Sequence, residues 1–169
     1  MNSVLAGWNK ADEATARQAM LACSGAKRWA AGMITSRPIA NVTELSEMAD
    51  RVWSTMQEPD WLEAFACHPR IGAREPSDSG GQSAAWSKQE QSQASTARES
   101  ILTELAEGNR IYEERFGFTY IVCATGKTAE QMLSILKRRL SSSREAELRE
   151  AAEQQRQIMQ IRLGKWLVE

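Results

Sequence analysis

The chain contains a single histidine, His68, and three widely separated cysteines, Cys23, Cys67 and Cys123. One histidine, scattered cysteines and no His-x-x-x-His pair leave no protein-built zinc site of the usual kind, so no metal is expected. An odd number of cysteines without Cys-x-x-Cys spacing reads as reduced thiols in a reducing compartment. A basic excess is also missing, with 21 Lys plus Arg against 22 Asp plus Glu. That balance argues against a nucleic-acid partner. No apolar run approaches the ~20 residues that span a bilayer, so no membrane partner is expected. The segment Met1–Ala6 lacks the basic start and long apolar run of a signal peptide. The end, Trp166-Leu167-Val168-Glu169, is not a peroxisomal address, and a cytoplasmic protein is the simplest reading. Nucleotide-binding loops are absent too. Gly126-Lys127-Thr128 mimics the end of a phosphate loop, but Ile121 stands where its first glycine belongs.

What remains is a helix-forming composition: 42% hydrophobic and 25% charged residues over 169 positions, enough for one domain with a proper core. Apolar spacing predicts helices over Asn9–Ala22, Gly25–Thr35, a third capped by Thr43, and Pro59–Ala66. From Gly72 to Ala85, Pro, Gly, Ser and Asp replace the periodicity, which predicts a loop long enough to suggest function. Ser87 opens a long helix reaching about Arg115. Phe116–Ala124 is the one run enriched in aromatic and β-branched residues, read as extended chain packed among helices. Thr128 with Gln131, and Ser142 with Glu145, have capping-box spacing and open the last two helices. Gly164 is the predicted stop of the final one. The expected fold is all-α, a single-domain bundle (1–169) of about seven or eight helices with one short extended segment near 118–124.

Three places could carry chemistry. His68 lies where a helix gives way to a loop, and Pro69 restricts its backbone. A stiff proton donor suits an attack on one face of a planar intermediate, but a helix-end histidine making a structural hydrogen bond fits as well. Ser87 and Glu90 are accounted for by a capping box. Even so, a carboxylate at a helix start is held ionised and could accept from a substrate hydroxyl, with the Gln91 amide beside it. Arg162, near the end of the last helix, has a structural or surface role by default. Arg70 and Arg115 read as solvated charges, and the six tryptophans as packing.

Taken together, the motifs His68-Pro69-Arg70-Ile71-Gly72, Ser87-x-x-Glu90-Gln91, Asn109-x-x-Tyr112-x-x-x-Phe116-Gly117-Phe118-x-x-Ile121-Val122-Cys123-Ala124-x-Gly126-Lys127 and Arg162-Leu163 occur in an order that resembles the 2-oxo-4-hydroxy-4-carboxy-5-ureidoimidazoline (OHCU) decarboxylases. The resemblance spans most of the chain. It implies an all-helical homodimer without cofactor that converts OHCU, a product of urate oxidation and ring opening, to (S)-allantoin. It implies that His68 is catalytic and that Glu90 lies in the substrate site, where its carboxylate is read as the second catalytic group, accepting from the substrate hydroxyl. It also implies that Pro69, Ser87, Gln91, Arg162 and backbone groups of Ile121, Val122, Cys123, Ala124 and Thr125 bind substrate. Two other readings stand beside it: a non-catalytic helical interaction module in which His68-Pro69 is a structural turn, and a related enzyme for a different ureido acid.

Overall fold

The computed structural model describes residues 1–71, 86 and 99–169. Among these, eight helices and no strand are present, as the composition predicts. They are α1 (Ser3–Lys10), α2 (Glu13–Cys23), α3 (Lys27–Thr35), α4 (Val42–Trp53), α5 (Glu58–Ala66), α6 (Glu99–Phe116), α7 (Ala129–Arg139) and α8 (Arg144–Trp166). None of the described helices is long and apolar enough to cross a membrane. The predicted loop at 72–85 and the predicted helix opening at Ser87 lie outside the described residues.

The chain divides into two compact units, Met1–Ala64 with Arg156–Glu169, and Phe65–Gln155. The first unit holds α1 to α4 around a core that includes Leu5, Met20, Trp29, Met33 and Leu45. Its first predicted helix is in fact two. The Asp12 side chain accepts from the Thr15 N–H and starts α2 afresh, while α1 is capped by Asn2, whose side chain accepts from the Val4 and Leu5 N–H groups. Helical periodicity runs through this break because Ala-rich sequence suits a helix on either side. The two helices stay joined by the Trp8 indole, which donates to the Ala16 carbonyl at 3.0 Å. The third predicted helix starts earlier than expected. Asn41, not Thr43, accepts from the Glu44 N–H, and the Glu44 carboxylate accepts from the Ala40 N–H. Asparagine is the stronger cap, and Thr43 falls inside the first turn.

The second unit is built on aromatic contact. The chain has only three phenylalanines and two tyrosines, and all five lie in one cluster. Phe65, near the end of α5, stacks on Phe118 at 5.4 Å, and Tyr112 of α6 meets Phe116, Phe118 and Tyr120. Such pairs add about 0.5–1.5 kcal/mol each beyond the area they bury. The Thr128–Gln131 capping box opens α7 as predicted. At α8 the cap sits one residue beyond the predicted Ser142: the Ser143 hydroxyl accepts from the Ala146 N–H at 3.2 Å. Gly164 does not stop α8, which continues to Trp166. Its φ is not in the left-handed region that a glycine stop signal uses.

Candidate active site

Residues 119–124 have no regular secondary structure, yet Tyr120, Ile121, Val122, Cys123 and Ala124 are all buried. Buried backbone without a ladder must find its hydrogen bonds elsewhere. Side chains supply them. Asn109 of α6 accepts from the Tyr120 N–H at 3.3 Å and donates to the Ile71 carbonyl at 3.0 Å, so it ties the chain after His68 to this segment. Arg139, the last residue of α7, donates to the Ile121 carbonyl. Gln154 of α8 accepts from the Cys123 N–H at 2.8 Å, and the Lys127 ammonium donates to the Cys123 carbonyl at 2.7 Å.

Arg139 is itself buried and pairs with Glu147 of α8 at 2.7 Å. The Tyr112 hydroxyl donates to the same carboxylate at 2.6 Å. Burial pushes the Tyr112 phenol well above its ordinary pKa and keeps it a donor. The guanidinium also lies over the Tyr120 ring, 5.0 Å from its centroid.

His68 follows the last turn of α5, with its N–H bonded to the Phe65 carbonyl at 3.1 Å. Its Nε2 lies 2.7 Å from Oε1 of Gln155, on α8. Gln154 and Gln155 are successive residues, so one turn of α8 anchors both the His68 ring and the Cys123 backbone. This is the central geometric fact of the site. Two pieces of chain that sequence motifs single out separately, His68-Pro69 and Ile121–Ala124, are held by neighbouring side chains of one helix.

The remaining candidates fall differently. Pro69 is half-buried beside His68, and Thr125 is exposed in the turn that follows the buried segment. Ser87, Glu90 and Gln91 lie outside the described residues. Arg162 belongs to the other compact unit and is only 2% exposed, which sets aside the surface half of its default reading as a structural or surface charge. One of its guanidinium nitrogens donates to the Ala22 carbonyl at 3.3 Å. Beside it, burial pushes the Cys23 thiol up to about 12, with Arg162 opposing the shift. Arg70 is paired as well as solvated, with two hydrogen bonds to Glu113 at 2.8 and 3.0 Å.

Asn109 was visible in a motif, but its bridging role was not. Arg139, Glu147, Gln154 and Gln155 belong to no motif that the sequence singles out. Charged and amide residues on a helix read as a solvated face, and only the α8 periodicity linking Gln155 to Arg162, seven residues on, offers a signal, for Gln155 alone.

A model of the OHCU decarboxylase family matches residues 9–164. The uric acid degradation bifunctional protein TTL of Arabidopsis thaliana is 38% identical over 85% of this chain, which spans 44% of that longer protein. The OHCU decarboxylase of Amia calva is 31% identical, over 79% of this chain and 77% of its own length. Among solved structures, an OHCU decarboxylase crystallised in the presence of (S)-allantoin superimposes with a TM-score of 0.76 at 36% identity. That match covers 88% of this chain and 96% of the other. The chain therefore belongs to the OHCU decarboxylase family, whose members are carboxy-lyases of urate degradation.

Proposed function

We propose that this chain decarboxylates OHCU to (S)-allantoin without a cofactor, with His68 as the acid that sets the product's handedness. The observation that carries the reading is the placement of the chain's one histidine, stiffened by Pro69 and held through Nε2 on α8, in a member of this family. The family match from 9 to 164 also supports treating the chain as one functional domain. The family likeness is equally the support for a homodimer. The balanced charge and reduced thiols support a cytoplasmic enzyme without a nucleic-acid partner.

The substrate holds its own electron sink. Its carboxylate sits on a carbon next to a ring imine, so the pair released with CO2 forms a C=C bond to the imine carbon as the C=N π pair moves onto nitrogen. An enol results. Protonation of the ureido-bearing carbon then creates the stereocentre as the hydroxyl becomes a carbonyl. His68 supplies the proton to carbon. Glu90 accepts from the hydroxyl, and the proton it takes ends on the former imine nitrogen, so the reaction consumes one proton overall. Arg162 belongs on the ring or ureido carbonyls, where negative charge develops. A tight grip on the departing carboxylate would stabilise the ground state instead. Ser87, Gln91, Pro69 and the backbone of Ile121–Thr125 complete the substrate contacts.

The test generates OHCU with urate oxidase and the ring-opening hydrolase, adds the protein, and follows circular dichroism. Rapid growth of the (S)-allantoin signal is expected. His68→Asn should slow it by about 10²–10⁴-fold, the usual worth of acid catalysis. Wild-type turnover with pure (S)-allantoin from that variant would remove His68 from the mechanism.

A further inference from the structure

Gln155 is wholly buried, and among the described residues its amide nitrogen has no hydrogen-bond partner. Leaving a buried donor unmade costs about 1–3 kcal/mol. An aliphatic residue on that face of α8 would avoid the cost, so stability does not account for a glutamine here. Among the described residues, the bond that its side chain does make is to His68 Nε2, at 2.7 Å. A buried polar group that breaks the packing rules and touches a candidate catalytic group is where function is expected to outweigh stability.

An amide oxygen can accept a hydrogen bond but has no proton to give. Against it, Nε2 must carry its hydrogen in every state of the ring. In the neutral imidazole the lone pair then resides on Nδ1, which becomes the nitrogen that gains and loses a proton. We propose that Gln155 is the positioning residue of His68: it fixes the ring's rotation, locks the proton on Nε2, and makes Nδ1 the edge that exchanges protons with the substrate. This rests on the reading of His68 as the catalytic acid. A ring free to rotate could protonate a planar enol from more than one direction, whereas a clamped ring delivers from one. Turning the amide half a turn would place an N–H against Nε2 and demand the opposite tautomer, so the arrangement is open to direct observation.

The chain's single histidine makes the experiment unambiguous. Long-range proton–nitrogen correlation spectra of the ¹⁵N-labelled full chain, recorded where the ring is neutral, should show the Nε2–H tautomer. Gln155→Met, which keeps the length of the side chain and loses the acceptor, should give mixed tautomers. It should lower kcat by about 10–100-fold with little change in KM, as loss of histidine-orienting partners does in metal sites. It should also reduce the excess of (S)-allantoin. Gln155→Glu restores an acceptor oxygen and should restore the Nε2–H signature. A wild-type spectrum showing the Nδ1–H tautomer overturns the proposal, and this outcome requires no variant to fold. So does a Gln155→Met protein with wild-type kcat and wild-type stereochemical purity. If the wild-type chain fails to accelerate decarboxylation, the catalytic reading falls, while the spectrum still decides whether Gln155 sets the tautomer.

Discussion

Glu147 offers the severest test of the buried anchor. The residue is 1% exposed and its carboxylate takes two hydrogen bonds, from Arg139 at 2.7 Å and from the Tyr112 hydroxyl at 2.6 Å. Glu147→Leu removes the only negative charge that the structure places against Arg139 among the described residues and leaves a guanidinium in the core. Breaking a buried pair in this way costs about 3–5 kcal/mol. For a chain of this length each kcal/mol lowers Tm by about 2–4 °C, so the midpoint should fall by about 6–20 °C. The triple variant Arg139→Met, Glu147→Leu, Tyr112→Phe behaves differently. It removes the stranded charge and the orphaned hydroxyl, and leaves only the Ile121 carbonyl without its donor. The remaining deficit should be about 1–3 kcal/mol. The allantoin signal should nevertheless stay weak, because the segment that Arg139 anchors through Ile121 has lost that anchor. Thermal unfolding followed by circular dichroism gives the first quantity and the coupled urate assay the second. A Glu147→Leu protein within about 1 kcal/mol of wild type, as for exposed ion pairs, would refute the buried-anchor reasoning. A triple variant as unstable as the single one would show that packing, rather than charge, sets the loss.

Two further outcomes follow from burial and charge. Iodoacetamide under mildly alkaline conditions should modify the exposed Cys67 first. Cys23, buried and pushed up to about 12, should react only on unfolding, and equal labelling of both by mass spectrometry would contradict this. The Arg70 hydrogen bonds and charge hold Glu113 below its ordinary value, so its folded pKa is the lower one. The pair's contribution is therefore present above the ordinary value of about 4.3 and lost as pH falls through the folded pKa. Arg70 is largely exposed, so a double-mutant cycle with Arg70→Met and Glu113→Gln should give under about 1 kcal/mol at neutral pH, vanishing in acid. Coupling that grows as the pH falls would have the wrong sign.

The helices were legible because their signals are local. Apolar spacing and the Thr128–Gln131 box depend on residues within one or two turns, and α7 starts where they place it. Errors came where several local signals compete. Asp12 restarts a helix inside Ala-rich sequence, Asn41 outcompetes Thr43, and Ser143 rather than its neighbour Ser142 supplies the cap. His68 and the 118–124 segment were legible as special because they depart from helical pattern. Their anchors were not, because Arg139, Glu147, Gln154 and Gln155 lie inside helices and look like solvent-facing residues until the fold buries or engages them.

That asymmetry bears on how the proposed site is built. On the proposed mechanism the substrate supplies the electron sink, and the chain's task is geometry: a fixed carboxylate, a fixed ring and a proton from one side. Irregular backbone is the natural source of outward-pointing N–H and C=O groups, since helices consume their own. Such backbone is unstable when buried unless other groups bond it. Here α6 lends Asn109, α7 lends Arg139 and α8 lends Gln154, each from a helix interior or end. The same turn of α8 reaches His68 through Gln155. A shift of α8 along its axis would therefore displace the His68 ring and the Cys123 backbone together and preserve their relative register. That makes the register between them a property of one helix, which is harder to lose to local motion than a register shared between two loops.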